Sequence, residues 1–245
     1  MSEIIPNRNL DSIADYAFAD CSNIKKLDIP KSVTSIGMGA LYGCSKLEKL
    51  SIPFIGLNKD DESNPFGYIF GINNENELYD KSNSYSIPKS LTSVTVGVNT
   101  IIDDAFNGCQ NIVNISIYPI DTDREIVLGN RAFYNCRMLS TFTFDEGIVS
   151  IGQGAFENCI SLQKVYIPSK VKSIETRAFI GSGIIRLNTN NVENIGARAF
   201  YNCSGLTEIV FSDKIKSVSA YAFAECPNIK EASFGHSVTL TSTAF

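Results

Sequence analysis

Apolar residues fall along the chain in short bursts that recur at a nearly fixed interval. The sharpest burst is Ala-Phe, once Ala-Leu: Ala17-Phe18, Ala40-Leu41, Ala105-Phe106, Ala132-Phe133, Ala155-Phe156, Ala178-Phe179, Ala199-Phe200, Ala222-Phe223 and Ala244-Phe245. Phe66, in Asn64-Pro65-Phe66, takes the one vacant slot. Successive steps of the second residue are 23, 25, 40, 27, 23, 23, 21, 23 and 22, so two are long and the rest cluster near 23. Self-similarity at such a period is the mark of a repeat architecture, and it overrides residue-by-residue reading.

Between these bursts lies a second pattern of period two. It comprises Leu27/Ile29, Leu50/Ile52, Val94/Val96, Ile115/Ile117, Phe142/Phe144, Val165/Ile167, Ile209/Phe211 and Ala232/Phe234. Alternation over a few β-favouring residues predicts a strand with one buried face. Pro30, Pro53 and Pro168 follow three of the pairs and would end them. A further apolar pair, such as Val33/Ile36, Val171/Ile174 or Ile215/Val218, predicts a short extended piece leading to the next Ala-Phe. Within each burst Ala, Phe, a cysteine slot and a following apolar residue stand at offsets 0, 1, 4 and 7, which is one face of a two-turn helix. The expected fold is an α/β solenoid of about ten coils, with a parallel β-sheet on its inner side and short helical turns on its outer side. No coil buries its apolar face alone, whereas stacked copies do.

The cysteines sharpen this picture. All seven (Cys21, Cys44, Cys109, Cys136, Cys159, Cys203 and Cys226) stand three residues after the Phe slot, and in the coil after Phe179 Ser182 holds that place. Equivalent positions in stacked coils lie about 4.8 Å apart with parallel Cβ vectors. A disulfide needs Cβ atoms nearer ~3.8 Å and turned together. The ladder is therefore expected to hold free, buried thiols, and no closely spaced cysteine pair suggests zinc.

Composition narrows the function classes. The chain has 245 residues, 44% hydrophobic and 19% charged, and its formal net charge of −5 gives no basic field for nucleic acid. No apolar run reaches the ~20 residues of a membrane span, and the N-terminal residues lack a signal pattern. One histidine, His236, and no Gly-rich phosphate loop leave nucleophilic and nucleotide chemistry without parts. The expectation is a chain without enzyme activity, cofactor or metal.

The run Cys21-Ser-Asn-Ile24-Lys-Lys-Leu27-Asp-Ile29-Pro30-Lys-Ser-Val33-Thr-Ser-Ile36-Gly-Met-Gly-Ala40-Leu41 resembles the BspA-type, or Treponema pallidum-type, leucine-rich repeat, and recurs at Cys159–Phe179. The resemblance implies a right-handed superhelix or horseshoe over residues 1–245. It also implies an adhesion or ligand-binding role at a cell surface or outside the cell, toward a protein or glycan. It carries over no catalytic residue. An intracellular protein-interaction scaffold is the alternative, and two potential N-glycosylation sequons, Asn114-Ile-Ser116 and Asn202-Cys-Ser204, do not decide between them. Terminal coils of a solenoid need polar caps. The chain opens on Ile4-Ile5-Pro6 and closes on Ala244-Phe245 without one, so it reads as a fragment of a longer protein or one that self-associates through uncapped ends.

Two interruptions remain. About nineteen extra residues fall at 67–90, where Leu91-x-x-Val94-x-Val96 is the preferred strand register. Tyr68 and Tyr79 there form a contact surface or, alternatively, belong to a local cap and a solvated tether. A smaller insertion at 118–130 holds Asp121, Asp123 and Glu125, which lack the glycine and distal glutamate of an EF-hand and read as a solvated turn. On the inner sheet the outward positions supply the other candidate ligand contacts: Asn114, Thr141, Thr143, Lys164, Tyr166, Arg186 and Asn188. Tyr and Arg are enriched at binding hot spots; polar residues also simply keep an exposed sheet soluble.

Overall fold

A computed structural model describes residues 3–4, 6–61, 63–72, 85–120, 125–234 and 238–245. It is a parallel-strand β-solenoid of about nine turns. The chain forms two compact units, residues 1–98 with 111–120, and residues 99–110 with 121–245.

In the first unit the strands Glu3–Ile4, Lys26–Asp28, Lys49–Ile52, Ser93–Val98 and Asn114–Pro119 pair in parallel, in that order. Leu27, Leu50, Val94 and Ile115 share one register row, and each is at most 2% exposed. The alternating residues between them point away from this row. The register expected from Leu91-x-x-Val94 is the one observed, because Leu50 faces Val94.

The second unit carries two ladders. Arg186–Asn188, Glu208–Val210 and Glu231–Ser233 pair in parallel, and a bridge from Lys164 to Arg186 extends them by one coil. The short apolar pairs do more than connect. Thr100–Ile101, Ile126–Leu128, Ile148–Ile151, Ser173–Ile174, Asn194–Ile195, Ser217–Val218 and Thr239–Leu240 form a second parallel sheet. Each unit therefore holds its coils together mainly through main-chain bonds between successive coils, as parallel pairing requires.

The Ala-Phe segments are not helical, which corrects the expectation of short helical turns. The coil from Gly154 to Cys159 shows why. The amides of Ala155, Glu157 and Cys159 each close a turn onto the carbonyl three residues back, at 3.0–3.2 Å. The amides between them, of Gly154, Phe156 and Asn158, donate instead to Thr176, Ala178 and Ile180 in the next coil, at 2.7–3.1 Å. Half the donors a helix would need are thus spent across coils. Two residues per coil are also left-handed, one before the Ala and one before the Cys: Gly154 and Asn158 (both φ 61), Arg131 and Asn135 (φ 53 and 59), Arg198 and Asn202 (both φ 55). A left-handed residue every four positions cannot continue a right-handed helix. Among the described residues, one five-residue 3-10 helix, Phe66–Phe70, is present.

Inside this turn layer the second unit stacks its phenyl rings. Phe106, Phe133, Phe156, Phe179, Phe200, Phe223 and Phe245 follow one another at centroid spacings of 4.9–5.3 Å. Beside them the cysteine slot forms its own ladder, and all seven thiols are free. Most of the buried thiols have a specific acceptor: Cys136, Cys159 and Cys203 donate at 3.1–3.2 Å to the carbonyls of Phe106, Phe133 and Phe179 one coil earlier, and Cys44 donates to Phe18 at 3.2 Å. Burial pushes the Cys109 thiol up to about 12. Cys44, Cys136, Cys159 and Cys203 are raised as well, so the buried thiols are held protonated rather than poised as nucleophiles.

The long interruption sits differently from the sequence expectation. Leu41 donates to the carbonyl of Ile69, as Phe18 does to Ala40, so Ile69-Phe70 rather than Phe66 occupies the Ala-Phe place. Phe66 is fully buried as well and meets Phe70 edge-on at 5.3 Å. Part of the extra length lies before this place, in the segment organised by Asp61. Its carboxylate accepts from the amides of Leu57, Ser63 and Asn64 and from both side chains of the latter two, at 2.7–3.2 Å. Burial opposes ionisation, yet these bonds outweigh it and bring its pKa down to about 2. The remainder leaves from Ile72 and returns at Tyr85, which pair antiparallel.

Candidate binding surface

The inner strands position the candidate contacts by simple alternation. Leu187 and Ile209 point inward, so their neighbours Arg186, Asn188, Glu208 and Val210 are turned outward. In the second unit one register row reads Lys164, Arg186, Glu208, Glu231, running from positive to negative. Two residues further along each strand come Tyr166, Asn188, Val210 and Ser233. Lys164, Tyr166, Arg186 and Asn188 are all exposed and lie on one face of the second unit.

Three of the four are held in place. The Arg186 guanidinium pairs with the Glu208 carboxylate at 2.5 Å. Tyr166 donates its hydroxyl to Glu146 at 2.7 Å, and the same carboxylate accepts from the Ser169 amide and hydroxyl at 3.2 and 3.0 Å. The Tyr166 hydroxyl bond and the two from Ser169 hold the Glu146 carboxyl below its usual range, and the same contact raises the Tyr166 phenol. The Asn188 side-chain Oδ1 accepts the Asn190 backbone amide at 2.9 Å, closing an Asx turn. Ordering these side chains in advance lowers the entropic cost of engaging a partner.

The other candidates lie elsewhere. Thr141 and Thr143 are exposed in the second unit. Asn114 is half-buried at the start of a strand of the first unit, opposite Ser93. Tyr68 is half-buried in the 3-10 helix, where its carbonyl accepts from Gly39 in the turn layer rather than on the strand side. Burial, then the carboxylates of Asp15 and Asp61, raise its phenol. Tyr79 falls outside the described residues, as do Asp121, Asp123 and His236.

Alternation along the strands places Glu208 on the outward face, but sequence reasoning paired neither of the two carboxylates that organise it. Glu208 was legible, because Arg186 and Glu208 occupy the same repeat position in successive coils. Glu146 was not: it holds the corner position that Ser169 fills one coil later, twenty residues before Tyr166, and a repeat position alone does not say which strand side chain its carboxylate reaches.

Among the described residues no group of three His, Cys, Asp or Glu side chains could hold a metal ion, and no helix is long and apolar enough to cross a membrane. The first unit also has a small pocket of about 130 Å³, walled by Val33, Pro53 and Phe54, with the Lys31 ammonium 4.6 Å above the Tyr118 ring.

The model of the BspA type leucine rich repeat region matches the chain in six copies, over residues 1–64, 79–126 and 126–245. Among solved structures, a leucine-rich repeat protein from Eubacterium ventriosum is similar at 23% identity and a TM-score of 0.55, covering 99% of this chain and 63% of that one. A leucine-rich repeat protein from Bacteroides ovatus shares 21% identity at a TM-score of 0.44, over 96% of this chain and 65% of that one. The T. pallidum leucine rich repeat protein shares 20% identity at a TM-score of 0.39, over 91% and 72%. The chain thus spans less than two thirds of the first two proteins' length. No curated protein matches.

Proposed function

Since the chain belongs to the BspA-type leucine-rich-repeat family, we propose that it is a non-enzymatic binding module that presents its strand face to a protein or glycan at a cell surface. Leucine-rich-repeat proteins are generally protein-binding modules. The surface setting is what the repeat resemblance implies.

One observation carries the choice of face. Lys164, Tyr166, Arg186 and Asn188 share one exposed face of the second unit, and Glu146, Glu208 and the Asn190 turn pre-position three of them. Tyr and Arg supply large contact area with few rotatable bonds to freeze, which is why they dominate hot spots. The neighbouring Val210, 39% exposed, adds apolar area beside them.

The test is an array of purified extracellular proteins and glycans probed with the chain and with a Tyr166→Ala/Arg186→Ala variant. The expected outcome is at least one specific ligand whose signal falls about tenfold or more in the variant, since truncating hot-spot residues costs ~2 kcal/mol or more. Equal binding by both proteins would remove the strand face from the account. An array without any ligand would remove the surface-adhesion reading.

A further inference from the structure

The turn layer of the second unit carries a notch of about 370 Å³, lined by residues of the Ala-Phe segments rather than of the strands. Its origin is one missing side chain. The position before the Ala holds Arg131, Gly154 and Arg177 in three successive coils, so a glycine stands between two arginines. A Cβ at Gly154 would lie 3.2 Å from Glu157 Oε2 and 3.5 Å from Arg131 Cγ, so the gap is one residue deep and one coil high.

The chemistry of the walls is lopsided. The buried Glu157 carboxylate, 7% exposed, is taken by Arg177 through Nε at 3.1 Å and Nη2 at 2.7 Å. The Asn130 side-chain oxygen accepts the Gln153 amide at 2.8 Å, and its nitrogen donates to Asp103 at 3.0 Å. The Glu157 carboxylate and the Asn130 carboxamide are therefore both engaged within the protein. The guanidinium donors are not all engaged. Arg131 stacks 4.5 Å above the Tyr134 ring and meets Asp104 through Nε alone, at 3.3 Å, leaving both terminal nitrogens. Arg177 keeps Nη1, since only its other two nitrogens reach Glu157. Tyr134 and Gln153 also line the notch, and the hydroxyl of the one and the carboxamide of the other make no hydrogen bond to a described residue.

We propose that this notch binds a saccharide unit bearing an oxyanion, carboxylate or sulfate, with the anion between Arg131 and Arg177 and the ring hydroxyls on Gln153 and Tyr134. A surplus of planar guanidinium donors matches an oxyanion. Hydroxyls match the two remaining groups, because each can donate and accept. A volume near the lower end of the ~300–1,000 Å³ typical of ligand pockets suits one sugar ring rather than an extended peptide. The site is independent of the strand face, and either proposal can fail alone.

The test is NMR titration of the intact, isotope-labelled chain with methyl glucuronide, glucose 6-sulfate, methyl glucoside and sodium sulfate. Gly154→Asn and Arg131→Gln serve as variants. Asn is accommodated at left-handed positions throughout this layer, including Asn135 and Asn158, so the first variant fills the notch without a foreign backbone conformation. The expected result is a saturable shift of the Gln153 and Gly154 amides with one or both acidic sugars, and none with methyl glucoside. Response to glucuronide alone assigns a carboxylate, and response to the sulfate ester alone assigns a sulfated sugar. Losing charge-assisted hydrogen bonds should weaken binding about tenfold or more in Arg131→Gln, and filling should abolish it in Gly154→Asn. The proposal is overturned if no acidic sugar gives saturable shifts, or if methyl glucoside binds equally. It is likewise overturned if both variants bind as the parent does, if a poly-glutamate peptide outcompetes the sugars, or if sodium sulfate alone reproduces the shifts, which would mark an adventitious ion only.

Discussion

At the scale of single residues, the repeat slots are occupied for two different reasons. Phe156 is there for packing. It stacks between Phe133 and Phe179 at 4.9 and 5.2 Å and meets Phe142 edge-on at 5.1 Å, with no exposed surface. Phe156→Ala should therefore cost ~3–5 kcal/mol in a urea unfolding experiment, the usual range for removing a buried phenyl. A cost near zero would mean the column does not carry the core. The cysteine slot is there for a hydrogen bond in a small apolar space. At Cys44, Cys136, Cys159, Cys203 and Cys226 the thiol reaches the Phe carbonyl one coil back, and Ser182 shows that a hydroxyl also fits, lying 3.4 Å from Cys203 Sγ. Both slots were legible from counting alone, because a core position repeats whenever its coil repeats. The thiol's acceptor was not, since which carbonyl lies above a side chain depends on the stacking offset.

At the scale of elements, the turn layer is where the sequence pattern misled. Offsets 0, 1, 4 and 7 fit a helical face, but they fit equally a pair of turns separated by a left-handed residue. The discriminating signal lay immediately before the cysteine slot, which reads Asp20, Gly43, Gly108, Asn135, Asn158, Gly181, Asn202 and Glu225. Gly and Asn are the residues that tolerate positive φ, and every one of these positions adopts it. The two readings predict opposite signs for one pair of variants. At Asn158, with φ 61, Gly should be at least as stable as Ala, because a left-handed L-residue costs ~1–2 kcal/mol. In a helix Ala would instead beat Gly by ~1 kcal/mol. Unfolding midpoints of Asn158→Gly and Asn158→Ala decide the matter, and an advantage for Ala would restore the helix. The interruption at 67–90 was misplaced for a related reason. Phe66 fitted the period by number, whereas main-chain bonding seats Ile69-Phe70, and a count along the sequence cannot see which of two buried phenylalanines accepts the register.

At the scale of the whole molecule, regular slots explain the scaffold and leave function to what lies between them. Alternation in the inner strands predicted which side chains face outward, and the exposed row of Lys164, Tyr166, Arg186 and Asn188 follows from it directly. Electrostatic partnering did not follow, because Glu146 reaches Tyr166 from a corner position, and the repeat count does not show which strand side chain a corner carboxylate meets. The most direct measurement of the central claim is hydroxyl-radical footprinting of side chains, with and without a ligand captured on the array. Tyr166, 51% exposed in the free chain, should react readily alone and become protected by the ligand, while Tyr134 and Tyr201 on the turn side stay unchanged. Protection of Tyr134 or Tyr201 with Tyr166 left reactive would contradict a strand-face binding module.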